Sequence, residues 1–155
     1  MPEIVLTVEV AAPADEVWAA VTDWPGQREW MLGTSVRATA QDGRGVGGRM
    51  EAFTGVGRVG FLDPMTITRW DPPYRCEVEH HGRLVRGSAV FEVVRVDADN
   101  SRFVWAEWLT PPLGLFGAVG FALVRPLAAA GIRASLHRLA RWAPGHPVVP
   151  GESAA

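Results

Sequence analysis

The chain contains no lysine and only one cysteine among its 155 residues, and each scarcity excludes a class of function. Without lysine, the protein cannot form a Schiff base with a carbonyl substrate. Cys76 alone allows neither an internal disulfide nor a cysteine-rich zinc site, and its place among alternating apolar residues predicts inert core. The fifteen basic residues are all arginines, balanced by seventeen acidic residues and not clustered, which argues against nucleic acid as the main partner.

Signals for export and for a membrane span are also missing. The start, MPEIVLTVEV, has neither a basic segment nor a long apolar run, so we expect no signal peptide and a reducing, cytoplasmic environment. The uncharged stretch from Pro111 to Val124 has about fourteen residues, whereas a span needs about twenty. Because Arg125 and Pro126 interrupt it, we expect a helix buried within the protein and no integral membrane span.

Two glycine patterns and a histidine pair suggest cofactor chemistry but lack its context. The segments 43–48 and 55–60 match GxGxxG, yet both lie between predicted strands, whereas a dinucleotide site needs a strand followed by a helix. His80 and His81 are adjacent on a predicted strand, so they point to opposite faces and cannot chelate one ion together. No nucleophile motif such as GxSxG is present. We therefore expect no metal and no cofactor.

The first segment predicts a strand that runs directly into a helix. Apolar residues alternate from Ile4 to Val10, which is the period of a strand with one buried face. Pro13 suits the first helical position, and apolar residues recur at helical spacing from Val17 to Trp24. A second short helix is predicted at 27–31.

The middle of the chain predicts about six strands separated by turns, over the segments 35–40, 48–54, 65–70, 74–81, 84–96 and 102–110. The segment 59–62 either extends or follows the second of these strands. Gly82-Arg83 suits a two-residue type II′ turn. That turn pairs His80 with Val85 and Tyr74 with Phe91.

The last part predicts one long helix, from about Leu115 to Trp142, with a kink at Pro126. Its first half is apolar nearly all round, so we expect cover on more than one side, whereas its second half is amphipathic. Proline and small residues from 144 to 155 predict a disordered tail after a single domain of residues 1–143.

This order predicts an α+β helix-grip fold: a curved antiparallel sheet of six to seven strands wrapped on a long C-terminal helix, with two short helices after the first strand. Three segments resemble the START-like superfamily, in particular its polyketide cyclase/dehydrase and lipid-transport (SRPBCC) branch: VEVAAPADEVWAAVTDW, WDPPYRCEVEHHG, and RFVWAEW with the later SLHRLARWA. The resemblance extends from Ile4 to Trp142. It implies an apolar cavity between sheet and helix that binds a small lipophilic molecule, and it implies no particular reaction.

Strand alternation assigns the side chains that face this cavity. The inner face of strand 74–81 ends at His80, and we take the face of the last strand that carries Glu107 as inward. With the second helix and an apolar stripe of the long helix, the predicted ligand-binding residues are Trp30, Met65, Ile67, Val78, His80, Phe91, Val93, Phe103, Trp105, Glu107, Phe116, Val119, Leu123 and Leu127. The alternative for many of them is plain core packing.

His80 and Glu107 are the candidate catalytic residues. Burial on an apolar wall would raise the pKa of Glu107 and suit it to bind a hydroxyl group or move a proton. The alternatives are an ion pair of Glu107 with Arg49 or Arg86, exposure at the strand end, and a histidine that donates to a backbone carbonyl. The type II′ register separates His80 and Glu107 by about 20 Å, so we expect no dyad.

Three functions remain open from the sequence. The leading hypothesis is a protein that binds, and carries or senses, a small hydrophobic molecule such as a polyketide, an aromatic compound or a lipid. The second is a cyclase, aromatase or dehydratase that uses the same cavity. The third is an interaction module in which the apolar half-helix docks on a partner, a second copy in a homodimer, or a membrane surface.

Overall fold

The N-terminal elements form close to their predicted positions. The structure is a computed structural model that describes residues 3–153. It begins with β1 (Glu3–Val10) and α1 (Ala14–Val21), followed by a 3₁₀ helix (Pro25–Glu29). The apolar face of α1 is buried, as its helical spacing predicts.

Six further strands complete one antiparallel sheet in the order β1-β7-β6-β5-β4-β3-β2. They are β2 (Thr34–Ala40), β3 (Arg49–Val56), β4 (Val59–Asp71), β5 (Arg75–His81), β6 (Arg86–Arg95) and β7 (Ser101–Leu109). The segments 59–62 and 65–70, predicted separately, form the single strand β4, which runs through Pro64. Both GxGxxG segments lie between or within strands, and none of them opens a helix.

The β5–β6 hairpin has a longer loop than predicted, and its register differs. His81 pairs with Arg86, which leaves the four loop residues 82–85, and His80 pairs with Gly87 in place of Val85. The predicted pairing of Tyr74 with Phe91 was also wrong, since Cys76 is the residue opposite Phe91. Gly87 has φ +126°, and a Cβ there would overlap the carbonyl oxygen of Trp108, so only glycine fits this second position of β6. Because the slip is two residues, every side chain keeps its predicted face.

The long helix α2 (Gly114–Trp142) packs on the body through its second half only. Ser135, Leu136 and Leu139 are buried, and the Ser135 hydroxyl accepts a 3.0 Å hydrogen bond from the backbone N–H of Leu32. The first half is exposed, which contradicts the predicted buried helix. The 29 residues of α2 extend about 44 Å as a helix, whereas the eight residues of β1, the strand that α2 contacts, extend about 26 Å.

Residues 144–153 lie against the body, in place of the disordered tail that their composition predicts. The Glu152 carboxylate accepts hydrogen bonds from Arg44 Nε at 3.1 Å and from the indole N–H of Trp18 at 3.4 Å. His146 Nε2 lies 3.2 Å from the Asp23 carboxylate. The sequence pattern misses these contacts because each depends on one polar side chain that meets a distant partner.

Candidate functional site

A cavity of about 340 Å³ lies between the inner face of the sheet and the second half of α2. The helix contributes small and apolar residues to its lining, namely Ala128, Gly131, Ile132 and Ser135. Strands β2 to β7 supply the opposite wall, which is mostly apolar. The cavity arises because one helix cannot fill the hollow of a seven-stranded sheet and this one presents alanine and glycine where larger side chains would close it.

The fourteen predicted ligand-binding residues divide into three groups. Those that line the cavity are Met65, Val78, His80, Phe91, Trp105 and Glu107. Those buried behind the wall, as core, are Trp30, Ile67, Val93 and Phe103. Those that lie exposed on the first half of α2 are Phe116, Val119, Leu123 and Leu127, so the prediction that this apolar stripe of the helix faces the cavity was wrong.

Aromatic rings stiffen one end of the cavity wall. The Phe91 centroid lies 4.9 Å from that of Trp105 and 5.3 Å from that of Phe103. Trp30 packs edge-on against Trp105 from behind, at 6.3 Å. Such tilted and edge-to-face contacts favour fixed ring positions, so this wall keeps its shape without a ligand.

Asp63 holds the imidazole of His80. His80 on β5 pairs with Met65 on β4, and Asp63 follows two residues away on the same inner face. The Asp63 carboxylate oxygens each lie 2.9 Å from His80 Nδ1. The other ring nitrogen, Nε2, is buried and has no hydrogen-bond partner among residues 3–153. The ring is therefore oriented by one carboxylate while Nε2 stays available to a ligand.

Glu107 lies closer to His80 than the sequence predicts. Glu107 on β7 pairs with Ala89 on β6, which pairs with Val78 on β5, one inner-face position from His80. Two strand spacings and two residues put the Cα atoms of Glu107 and His80 about 12 Å apart, with both side chains on the concave face. The predicted separation of about 20 Å was wrong for two reasons: His80 pairs with Gly87 in place of Val85, and Glu107 pairs with Ala89 in place of lying near Phe91. Each side chain influences the proton affinity of the other.

Burial and charge act together on these groups. Burial raises the pKa of Glu107, and the charge of His80 and the indole N–H of Trp105 offset only part of that rise. The indole N–H of Trp105 lies near Glu107 and favours its charged form, although the two groups do not form a hydrogen bond of regular geometry. Burial lowers the pKa of His80. The hydrogen bond and charge of Asp63 and the charge of Glu107 together raise it by more than burial lowers it, so the pKa of His80 is raised.

Among the described residues, the structure does not contain the alternative contacts that the sequence analysis considered for Glu107 and His80. Within residues 3–153, neither Arg49 nor Arg86 forms an ion pair with Glu107, and Glu107 lines the cavity instead of projecting from the strand end. His80 contacts a carboxylate and not the backbone carbonyl of the alternative. The arrangement can bind a hydroxyl or carbonyl group of a ligand and can exchange a proton with that ligand.

Asp63 is a cavity-lining residue that the sequence analysis missed. The strand prediction stops at Leu62 and resumes at Met65, which leaves Asp63 and Pro64 outside any predicted strand. Once 59–71 is one strand, alternation from Met65 places Asp63 on the inner face. Continuity of β4 was therefore the signal that could have found it.

Cys76 also lines the cavity but offers no nucleophile. Burial raises the pKa of its thiol to about 12, so the thiolate is negligible at neutral pH. Within residues 3–153, no group of three or more His, Cys, Asp or Glu side chains is placed to hold a metal ion.

Comparison with known proteins now identifies the family. The sequence profile of the family described as polyketide cyclase/dehydrase and lipid transport matches residues 1–143. The chain belongs to this family. A search of curated proteins gives no match.

Solved structures of this family's fold superpose on nearly the whole chain. The TTHA0849 protein of Thermus thermophilus has a TM-score of 0.71 at 18% identity, covering 90% of this chain and 95% of that one. The Zhui aromatase/cyclase of Streptomyces sp. R1128 has a TM-score of 0.70 at 17% identity, covering 96% and 99%. The di-domain aromatase/cyclase BexL has a TM-score of 0.69 at 17% identity, and the match covers 91% of this chain and 46% of BexL. These likenesses confirm the predicted helix-grip fold, and the profile confirms the predicted family.

Proposed function

We propose that the protein binds one small, mostly hydrophobic molecule in the cavity and places a polar group of that molecule beside His80 and Glu107. The observation that carries this proposal is the cavity itself: about 340 Å³, largely apolar, with ionisable side chains grouped on one part of its wall. Ligand sites combine such an apolar lining with a few polar groups that fix orientation. The aromatase/cyclase relatives support a polyketide or other aromatic compound as the class of ligand.

The polar wall defines the ligand's chemistry further. In the part of the chain that the structure describes, His80 Nε2 and the indole N–H of Trp105 are buried without hydrogen-bond partners, and Glu107 is a buried carboxyl group. A hydroxyl or carbonyl group at this position satisfies them, whereas a purely aliphatic ligand leaves them unpaired at a cost of about 1–3 kcal/mol each. The cavity should therefore prefer phenols and ketones over alkanes of equal size.

Native mass spectrometry after gentle purification tests whether a small molecule accompanies the protein. A thermal-shift panel of phenols, aromatic ketones and fatty acids then ranks the ligand classes. Empty protein together with no thermal shift across the panel would contradict the proposal.

A matched pair of helix variants separates filling of the cavity from effects on the helix. Gly131 lines the cavity and a Cβ there meets open space, whereas Gly120 is an exposed helical glycine with equally open surroundings. Gly131→Leu and Gly120→Leu should each stabilise α2 by about 0.5–1 kcal/mol. Only Gly131→Leu should weaken ligand binding, because only its side chain enters the cavity.

A second candidate function is an enzyme of the cyclase, aromatase or dehydratase type, favoured by the Asp63–His80 pair beside Glu107. The cavity would hold a flexible chain bent. Of His80 and Glu107, the group without the proton takes one from a carbon next to a carbonyl, and the C–C double bond forms as the C–O bond breaks. The other group protonates the departing hydroxyl, so that water leaves.

The enzyme hypothesis is tested with 3-hydroxyacyl thioesters, by the loss of water in mass spectrometry. His80→Ala and Glu107→Gln should each abolish turnover while the fold remains intact. His81→Ala is the matched control, because His81 lies exposed on the opposite face of β5. Equal turnover in all three variants would remove these residues as catalysts.

A further inference from the structure

The first half of α2 leaves large apolar side chains uncovered. Leu115 and Phe116 are 78% and 87% exposed, and Leu123 is 75% exposed. An 18-residue window of this helix has a mean hydropathy of 1.8 with none of it buried, so by length and composition alone α2 could cross a membrane. A helix that is apolar on all sides needs apolar surroundings and not a single contact face.

Other exposed apolar residues lie at the same end of the sheet. The register places the start of β1, the end of β7 and the turns of the β3–β4 and β5–β6 hairpins together. Arg125 of α2 donates to the backbone carbonyl of Glu3, which fixes the exposed half-helix at this end. We call the exposed apolar residues gathered here the apolar rim: Val56, Val59, Leu84, Leu113, Leu115 and Phe116.

Arginines accompany the apolar rim. Arg58 and Arg83 occupy the two hairpin tips, and Arg86 and Arg125 follow close by, all of them exposed. Within residues 3–153, none of the four forms a salt bridge. The opposite end of the sheet carries the exposed acidic residues Asp42, Asp71, Asp97 and Asp99, together with Arg44, Arg69 and Arg95. A chain of net charge −2 thus presents a basic, apolar end.

The cavity reaches this end of the molecule. Val85 of the β5–β6 loop, Leu109 at the end of β7 and Phe61 near the start of β4 all line it. A molecule that enters or leaves between these residues passes beside the apolar rim.

We propose that the apolar rim docks on the surface of a bilayer that contains anionic lipids. Its aliphatic and aromatic side chains enter the boundary between headgroups and acyl chains, while the four arginines contact lipid phosphates. A second copy is the weaker fit, because a symmetric pairing of this end would bring the arginines of both copies together. The docking proposal does not depend on the proposed function, whereas exchange of a ligand between the bilayer and the cavity rests on it.

Vesicle flotation of the full chain tests the docking. Vesicles of phosphatidylcholine with about 30% phosphatidylglycerol should bind the protein, and phosphatidylcholine alone should bind it far more weakly. High salt should weaken binding to the anionic vesicles. Equal binding to both vesicle types, or binding to neither, would overturn the proposal.

Three rim variants and two control variants locate the surface. Phe116→Asp should weaken vesicle binding at least tenfold, and Arg58→Gln or Arg83→Gln about fivefold each. Val96→Asp and Arg95→Gln change exposed residues at the opposite end and should have no effect. If the control variants weaken binding as much as the rim variants, the docking surface lies elsewhere.

Sedimentation velocity and ligand titration in solution distinguish vesicle docking from dimer formation and from ligand binding in the cavity. A dimer that Phe116→Asp dissociates, without vesicle binding by the parent, would assign the rim to a second copy and overturn the proposal. Phe116→Asp should bind the cavity ligand as tightly as the parent in the absence of vesicles. Loss of vesicle binding and loss of ligand binding are thus separate results.

Discussion

At the scale of single residues, one imidazole lies between two carboxyl groups on an otherwise apolar wall. Asp63 contacts His80 directly, whereas Glu107 acts on it through charge alone. Burial makes a charged Glu107 costly, and Asp63 makes a charged His80 favourable. The two cavity-facing groups therefore titrate as a coupled pair, and each apparent pKa belongs to the pair.

Asp63→Asn should lower the pKa of His80. The variant removes the hydrogen bond to a carboxylate and its charge, while the burial that lowers the pKa remains. Histidine Cε1–H shifts followed by NMR across the neutral pH range measure the effect. Asp71→Asn, an exposed change on the same strand, should leave the His80 titration unchanged, and an unchanged titration in Asp63→Asn would refute the role given to Asp63.

Glu107→Gln should stabilise the protein more at pH 8 than at pH 5. The folded-state pKa of Glu107 lies above its unfolded value of 4.5, so the folded parent binds the extra proton and loses stability as pH rises through the folded pKa. The raised pKa of His80 acts in the same direction, with stability lost as pH rises above 6.5 through its folded value.

Glutamine carries no charge at either pH and avoids the cost of burying a carboxylate. Thermal unfolding at the two pH values measures the difference between variant and parent. A difference that shrinks as pH rises would mean that Glu107 is stabilised in its charged form.

At the scale of elements, α2 has two halves with different surroundings. From Ala128 onward it covers the cavity and anchors on the body through Leu136 and Leu139. Before that it is exposed and apolar. Anchoring and cavity formation therefore belong to one half of the helix, and the other half is free to contact something outside the molecule.

Leu139→Ala should destabilise the protein by about 2–5 kcal/mol, because the leucine is fully buried and its removal leaves a cavity. Leu123→Ala makes the same chemical change on the exposed half and should cost less than about 0.5 kcal/mol. Urea unfolding measures both. Comparable losses in the two variants would place the first half of α2 in the core.

The elements themselves could be predicted from sequence because their periodicity is local. Alternation gave the inner faces of β5, β6 and β7 correctly even where the register was two residues wrong, since a slip of two preserves the face. The half-helix at 114–127 could not be placed in this way. Apolar periodicity shows that a helix surface favours contact with other apolar groups, but it does not show which groups those are. The half-helix that we expected to be buried is exposed.

At the scale of the whole molecule, the tail connects distant parts of the fold. Glu152 contacts Arg44 and Trp18, and the Arg44 guanidinium also donates to the Thr22 carbonyl oxygen at 3.0 Å and lies over the Trp70 ring, 4.9 Å from its centroid. These contacts hold the segment around Glu152 beside α1.

Glu152→Gln should therefore reduce the free energy of unfolding by about 1–2 kcal/mol, because it weakens a partly buried charge-assisted pair. Glu9→Gln breaks the exposed surface pair with Arg102 and should change stability by less than about 0.5 kcal/mol. Chemical unfolding of both variants gives the comparison. Equal effects would show that the tail contributes no specific contact.

The candidate site was only partly predictable. His80 and Glu107 follow from alternation, but their proximity depends on a hairpin loop length that no local pattern fixed. Asp63 depends on the continuity of β4 through Pro64, and the position of the cavity depends on where α2 crosses the sheet. Such facts are set by contacts between distant segments, which a single sequence does not display.

The central claim, that a hydrophobic molecule occupies the cavity, is tested most directly by methionine methyl NMR. Three of the four methionines, Met31, Met50 and Met65, line the cavity. Titration with 2-naphthol, a bicyclic aromatic with one hydroxyl group, should shift all three methyl signals together and saturably, and Gly131→Leu should suppress the shifts. Methyl signals that stay unmoved, or that move without saturation and equally in Gly131→Leu, would contradict the account.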